Sequence, residues 1–333
     1  MKLLCATDLL PKSEAAIARA GLLTDQLGAD LTLLHVVAPT ESERALEQTL
    51  QMALGHMKSR AQRPFWRAVR KPNVAVRTGS PARLILDTIA QSKVGLIVLG
   101  PHRQRPLRDA LEGTIAEKVL ASRRCPVLVV QREPVGRYRR VLLALDTSDA
   151  SASAIRAAES LVLTPEAEAR VVHAHEPPYE GMLHYAGIGA DSIAGYAAGW
   201  SREAATAVRD LLKYESADFA RYDIRVEQSP PASAILRAVD LHQADLLVMG
   251  TRGGGRLHRA LLGSVANRVL HNASCDVLIV PESSVGASKR KSVPGAYRSR
   301  ALLGEPPRPM QQQAPDQVAT AVSVMSDQLS RPA

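Results

Sequence analysis

The sequence predicts an α/β protein built as two tandem, open, doubly wound sheets of five parallel strands each, followed by a tail of different character. Three observations predict it. The chain has 333 residues with 46% hydrophobic content, which suits about two globular domains of ~150 residues. Residues 81–130 align without gaps on 231–280 with 18 identities in 50, among them Pro81/Pro231, Gly100/Gly250, Gly113/Gly263 and Cys125/Cys275. Within each repeat, short β-rich apolar runs alternate with helical patterns, the order that builds a parallel sheet with right-handed crossovers.

In the first repeat the runs Leu3–Ala6, Leu31–Val37, Val74–Arg77, Leu96–Leu99 and Val127–Val130 are short and mostly continuous, as strands buried on both faces should be. Between the first two, Ser13 stands as an N-cap before an Ala/Ile/Leu-periodic stretch ending at Leu27, with Gly28 as its stop. Pro81 opens a later helix in its first turn, where a missing N–H costs nothing. The N-terminal parts of the repeats align at an offset of 138 residues (Asp8/Asp146, Ser13/Ser151, Ile17/Ile155, His35/His173), and the C-terminal parts at 150. The second repeat therefore holds 12 extra residues between His173 and Pro231. They fall in the Gly- and Tyr-rich stretch 179–200 and read as a longer connection before a helix over 202–212, with a flap over a ligand as the alternative.

Domain boundaries follow at 1–135, 136–282 and 283–333. The last segment, with Lys289-Arg290-Lys291, six prolines and Gln311-Gln312-Gln313, has a composition expected to be disordered. Val318, Val322, Met325 and Leu329 share one helical face there, and a frayed or transient helix is the reading taken, with docking of that face as the alternative. The formal charge of +9 invites nucleic acid as a partner. Yet the chain is only 3% aromatic, leaving few rings for base stacking. Basic against acidic residues number 20 to 12 over 1–135, 15 to 18 over 136–282 and 7 to 3 over 283–333. Basicity thus avoids the second repeat, and nucleic acid is an unfavoured partner. Three cysteines cannot form a disulfide framework and suit a reducing, cytoplasmic setting. No apolar run reaches the ~18 residues of a membrane helix, and Asp8 arrives too early for a secretory leader.

In an open α/β sheet, ligands bind beyond the carboxyl ends of the strands where the winding reverses. Three segments of the second repeat would meet there: Asp146 after the first strand, His173-Ala174 at the end of the second, and Gly250-Thr251-Arg252-Gly253-Gly254-Gly255-Arg256 after the fourth. Gly263-Ser264-Val265 then opens a helix. Glycines let backbone N–H groups approach phosphate closely, a helix start adds unpaired donors with the Ser264 hydroxyl, and Arg252 and Arg256 supply charge. A loop and a helix start framing one anion suit a di- or triphosphate.

The spacing Gly250-x2-Gly253-x9-Gly263-Ser264 resembles the ATP-binding signature of the universal stress protein family. The resemblance spans both repeats, supported by the strand ending in Asp146, by Leu-Leu-His35-Val, by Gly79-Ser80-Pro81-Ala82 and by Pro126-Val127-Leu128-Val129-Val130. It implies a Rossmann-like, adenine-nucleotide-binding fold. It further implies that Asp146 contacts adenine or ribose, that backbone at Ala174 lines the base pocket, and that Gly250, Gly253, Gly263 and Ser264 hold ribose and phosphates, with Arg252 and Val265 adjacent. Mg²⁺ can accompany ATP, although no carboxylate cluster marks a dedicated site. The last strands, Val127–Val130 and Val277–Val280, would pair across a pseudo-twofold axis within the chain, leaving dimerisation of whole chains open. The implied role is a nucleotide-dependent stress sensor or regulator acting on an unidentified protein partner.

The first repeat departs from the pattern: Arg103 stands where Gly253 does, and Pro101 and Pro106 each lack a donor, so its site is expected to be weak or empty. In the second, Ser229 replaces the turn glycine Gly79. Bland roles are expected elsewhere. Asp8 and Asp146 also suit turn capping, His35 and His173 suit satisfied core positions, His173-x-His175 lacks a third metal ligand, and Cys5, Cys125 and Cys275 read as buried thiols. With no Gly-x-Ser-x-Gly elbow, Cys/His pairing or Walker lysine, the expectation is binding without turnover. The rivals are a slow ATP hydrolase and a nucleotide-free, chaperone-like interaction protein.

Overall fold

A computed structural model of the chain describes residues 1–62, 71–101, 114–251 and 262–282, together with Val318 and Val322. The first domain runs β1 (Lys2–Thr7), α1 (Glu14–Leu27), β2 (Asp30–Val37), α2 (Glu43–Ala61), β3 (Asn73–Thr78), α3 (Pro81–Ser92), β4 (Leu96–Leu99), α4 (Ile115–Ser122) and β5 (Val127–Val129). The second runs β6 (Arg140–Ala144), α5 (Asp149–Ala157), β7 (Glu168–His175), α6 (Glu180–Tyr185), α7 (Ala190–Glu215), β8 (Tyr222–Gln228), α8 (Pro231–Leu241), β9 (Leu246–Gly250), α9 (Ser264–Asn272) and β10 (Asp276–Val280). All five apolar runs of the first repeat are strands. Gly28 ends α1 in the left-handed region at φ 57°, its N–H reaching the carbonyls of Thr24 and Asp25, and Pro81 opens α3.

Each domain contributes five parallel strands, and the two sets join into one ten-stranded sheet of order β3-β2-β1-β4-β5-β10-β9-β6-β7-β8. The join is antiparallel, Val129 opposite Val277, Leu128 opposite Leu278 and Val127 opposite Ile279, which is the pairing expected of the two last strands. Each of these strands would otherwise be an exposed edge of fully buried side chains, so the pairing removes an aggregation-prone surface from both domains. One apolar layer, containing Leu3, Ile17, Leu23, Leu143, Ile155, Val208 and Leu211, packs on one face of the sheet. The other, containing Ile85, Ile89, Val119, Ile235, Val239 and Val269, packs on the opposite face.

Between the domains lies a buried polar cluster. Asp276, 2% exposed at the start of β10, accepts from the Tyr138 hydroxyl at 2.7 Å and from the backbone N–H of Gln131 at 2.8 Å. Arg19 of α1 approaches the same carboxylate at 3.4 Å, donates to the Gly136 carbonyl at 2.6 Å, and lies 3.8 Å from the centre of the Tyr138 ring. One helix of the first domain, one strand of the second and the connection between them thus converge on a single carboxylate.

Three local expectations are revised. The Ser13 side chain makes no cap bond to α1; its hydroxyl donates to Asp8 Oδ1 at 2.6 Å, because a preceding 3-10 turn over Pro11–Ser13 carries the helix start. The helix expected from residue 202 begins at Ala190, because Ile193, Tyr196 and Trp200 bury one face of the extra turns, an interaction that outweighs the helix cost of Gly195 and Gly199. Within the tail, most of which lies outside the described residues along with Met325 and Leu329, Val318 and Val322 are helical and 1% exposed, as in the docked alternative to the frayed helix.

Candidate functional site

Parallel register sets the geometry of the site. Ala144 at the end of β6 lies opposite Val172 of β7 and Met249 of β9, so two residues further on Asp146 comes level with Ala174 and Thr251. β6 has β7 on one side and β9 on the other, and the chain winds in opposite senses from it. The carboxyl edge of these three strands is therefore the switch point at which α/β sheets hold ligands.

At that edge Asp146 performs two tasks with its two oxygens. Oδ1 accepts from the Ser148 N–H at 3.1 Å, the Ser148 hydroxyl at 2.5 Å and the Ser151 hydroxyl at 2.6 Å, building the turn into α5. Ser148 in turn caps that helix by accepting from the Ser151 N–H. Oδ2 is buried and has no hydrogen-bond partner among the described residues. Neither has the hydroxyl of the neighbouring Thr147, a β-branched residue held in the left-handed region at φ 64°. Such a conformation costs on the order of 1–3 kcal/mol. No motif marks Thr147; its readable signal is a β-branched residue at a sharp strand-to-helix turn. The capping role foreseen for Asp146 and a free acceptor thus reside in one carboxylate.

Ala174 is partly exposed in β7, flanked by two stacked imidazoles, His173 and His175, with ring centres 6.1 Å apart. His173 Nδ1 lies 2.7 Å from the Leu145 carbonyl and His35 Nδ1 lies 2.8 Å from that of Thr7. A carbonyl only accepts, so each Nδ1 is the protonated nitrogen, and each ring ties the second strand of its domain to the first. Burial pushes the pKa of His173 down, and that of His175 down to about 4, with His173 beside it adding to the effect. No cluster of three metal-binding side chains exists among the described residues. The three cysteines are buried thiols, each raised to about 12 chiefly by desolvation.

Gly250 ends β9. A Cβ there would fall 2.7 Å from the Ala150 Cβ, so the missing side chain lets α5 lie close against the sheet, a packing role in addition to the one expected for it. The Thr251 N–H donates to the Val280 carbonyl and the Gly263 N–H to that of Thr251, closing the base of the loop. Arg252 and Gly253 lie outside the described residues, as does Arg103 of the first domain. Gly263 is the N-cap of α9 and has no side chain to cap it, no capping side chain is found among the described residues, and no acidic residue occupies the first turn. Ser264 is exposed and Val265 half-buried there, leaving first-turn donors open to an anion.

The corresponding helix of the first domain is closed. Thr114 accepts from the Glu117 N–H at 3.2 Å while the Glu117 carboxylate accepts from the Thr114 N–H at 2.6 Å, a capping box that places a negative charge where phosphate would sit. Glu117 also lies 3.7 Å from His271 of the second domain. Beyond Arg103 and the two prolines, which predict a weak site, Thr114-x-x-Glu117 is the legible signal of a closed helix start that the glycine spacing alone does not reveal.

The sequence profile of the "Universal stress protein family" matches residues 1–131 and again 137–281. A universal stress protein of Mycolicibacterium smegmatis is 26% identical over 84% of this chain and 96% of its own length. One from Thermus aquaticus is 35% identical over 43% of this chain and 98% of its own. Among solved structures, a universal stress protein of Archaeoglobus fulgidus superposes with a TM-score of 0.62 at 20% identity, covering 85% of this chain and 97% of that one, a likeness of fold. No helix among the described residues is long and apolar enough to cross a membrane.

Proposed function

We propose, from the premise that this chain belongs to the universal stress protein family, that its second domain binds an adenine nucleotide, ATP first among them, at the carboxyl edge of β6, β7 and β9. The observation that carries the reading is the buried Asp146 Oδ2, without a partner among the described residues, at the switch point, an acceptor that a ribose hydroxyl or an adenine amino group satisfies. Backbone at Ala174 borders the base. The open first turn of α9, with the Ser264 hydroxyl, receives phosphate oxygens; Gly250 and Gly263 keep the approach clear and Val265 flanks it, with Arg252 and Gly253 taking the parts that the family signature implies for them. Mg²⁺ entering with the nucleotide would neutralise phosphate charge, and Asp146 is the one carboxylate of this set.

The protein works in this reading as a nucleotide-dependent stress sensor or regulator, in the cytoplasm, and not as an enzyme. Among the described residues at the edge, none is arranged as a base that activates water: Asp146 Oδ1 is committed to three donors, and His173 is committed to a carbonyl and kept neutral by burial. The first domain serves as partner, its helix start occupied by Glu117. Occupancy changes partner contacts by favouring the loop arrangement that binds nucleotide.

Thermal unfolding of the full chain in millimolar ATP, ADP or AMP tests the binding. A rise in melting temperature that grows with nucleotide concentration is expected, since a ligand of the native state stabilises it by RT ln(1 + [L]/Kd). No shift with any of the three overturns the reading. Phosphate release above the buffer rate that is lost with Asp146→Asn would replace sensing with hydrolysis.

A further inference from the structure

The two parts of the chain that the repeat does not explain, the 12 extra residues and the tail, meet on one surface. Ile193, Tyr196, Trp200 and Ala204 recur along α7 at spacings of three and four residues and so form a single stripe, which Leu183 of α6 joins. Tyr196 and Trp200 pack edge to face at 6.4 Å, and the Tyr196 hydroxyl is anchored on the Pro178 carbonyl at 2.9 Å. This cluster is separate from both sheet layers. Its remaining members are Val318 and Val322, each 1% exposed, both helical and one turn apart.

We propose that the α6–α7 face is a helix-binding groove, and that the chain fills it with its own C-terminal segment centred on Val318 and Val322. The recognition is that of an amphipathic helix laid into an apolar groove, with aliphatic anchors at i and i+4 meeting a Tyr/Trp floor. The intervening sequence, Ala319-Thr320-Ala321, is small enough to bring a helix close. Distance is no obstacle, because 35 residues separate Glu282 from Val318 and each can span up to about 3.3 Å. Among the described residues the first domain shows no equivalent cluster: α2 has 19 residues against 26 in α7. Extension and tail are two halves of one device. Tethering gives the segment an effective concentration on the order of millimolar, so a free helix of the same pattern displaces it only when it binds more tightly.

The helix that carries the groove also reaches the end of β7, since Ser201 on α7 lies 3.0 Å from His175 and accepts from Gln228. The assignment nonetheless stands whether or not a nucleotide binds. Trp66 and Trp200 are the two tryptophans, so Trp66→Phe leaves Trp200 as a reporter of the groove floor. In that full-length background, Val318→Asp/Val322→Asp is expected to red-shift Trp200 emission and raise acrylamide quenching several-fold, and a peptide of residues 312–333 added in excess is expected to reverse both. Unchanged emission and quenching overturn the proposal. Protection that disappears on dilution, together with a dimer by light scattering, also overturns it by assigning the groove to a second copy. Hydrogen exchange on the unmodified chain gives an independent reading: slow amides at 318–322 are expected, and exchange at the rate of an unstructured chain overturns the docking.

Discussion

At the scale of single residues, the division of labour within Asp146 separates stability from binding. Asp146→Asn keeps an oxygen to accept from Ser148 and Ser151 and replaces the unpartnered oxygen by a donor. Asp146→Ala removes both and strands the two buried hydroxyls, a loss of about 1–3 kcal/mol. The expected outcome is that Asn leaves urea unfolding within about 1 kcal/mol of the parent while abolishing the nucleotide-dependent melting shift, and that Ala lowers both. A melting shift that survives Asp146→Asn would remove this carboxylate from the site. His175 gives a pH dependence with a definite sign. Its folded pKa is lowered to about 4 from an ordinary 6.5, so the unfolded chain binds more protons between those values. Stability from this group is complete above about pH 6.5 and falls as pH drops towards 4, by up to about 1.4 kcal/mol per pH unit. His173, shifted in the same direction, adds to the slope. Urea unfolding from pH 7 to pH 4 should show the decline, and His175→Gln should flatten it.

At the scale of elements, the helices that start opposite the two ligand edges carry opposite electrostatics on one backbone plan. α4 is closed by Glu117, whereas α9 starts at Gly263 with no side-chain cap. Asn267 occupies in the second repeat the place of Glu117 in the first. Asn267→Glu therefore brings a carboxylate to the first turn of α9, and nucleotide affinity is expected to fall roughly tenfold, about 1.4 kcal/mol, with unfolding unchanged or slightly favoured by the helix dipole. Titration calorimetry with ATP measures it, and unaltered affinity would detach α9 from the site. The same comparison shows what sequence can carry. The central strands were legible because both faces of the sheet are covered there, so they are nearly continuous apolar runs; Leu96–Leu99 is buried at all four positions. Gly28 and Pro81 were legible because backbone geometry alone dictates them. The start of α7 was not, because Gly195 and Gly199 argue locally against a helix whose stability comes from Trp200, Tyr196 and partners more than 100 residues away. Gly250 read as a phosphate residue, and its contact with Ala150 is a matter of tertiary packing invisible to spacing. The burial of Val318 and Val322 required a receiving surface that no local pattern describes.

At the scale of the whole molecule, the repeat is symmetric in its sheet and asymmetric in what fastens it. β5 and β10 pair about a pseudo-twofold axis, but the buried cluster of Arg19, Tyr138 and Asp276 exists once: its repeat equivalents are Ala157 for Arg19 and Pro126 for Asp276, neither of which carries charge. The strand pairing alone would serve two separate chains as well as one. The Asp276 carboxylate instead receives the Gln131 and Arg132 N–H groups and the Tyr138 hydroxyl, all from the interdomain connection, while Arg19 binds the Gly136 carbonyl of the same segment. The connection is thereby tied to β10 and α1, an arrangement expected to favour pairing within the chain over exchange of domains between chains. A buried pair contributes little net stability when intact, yet removing one partner leaves an uncompensated charge and costs about 3–5 kcal/mol. Asp276→Ala, which isolates Arg19, is accordingly expected to destabilise the chain by about that amount and to raise the fraction of domain-exchanged dimer after refolding at high concentration. Arg19→Met/Asp276→Leu, which removes both charges, should regain much of the stability while remaining prone to exchange, because Tyr138, Gln131 and Gly136 have still lost their partners. Chemical unfolding and light scattering on the two variants separate these effects. A double variant that is both stable and strictly monomeric would show that strand pairing suffices, and that the buried cluster has no part in choosing the partner.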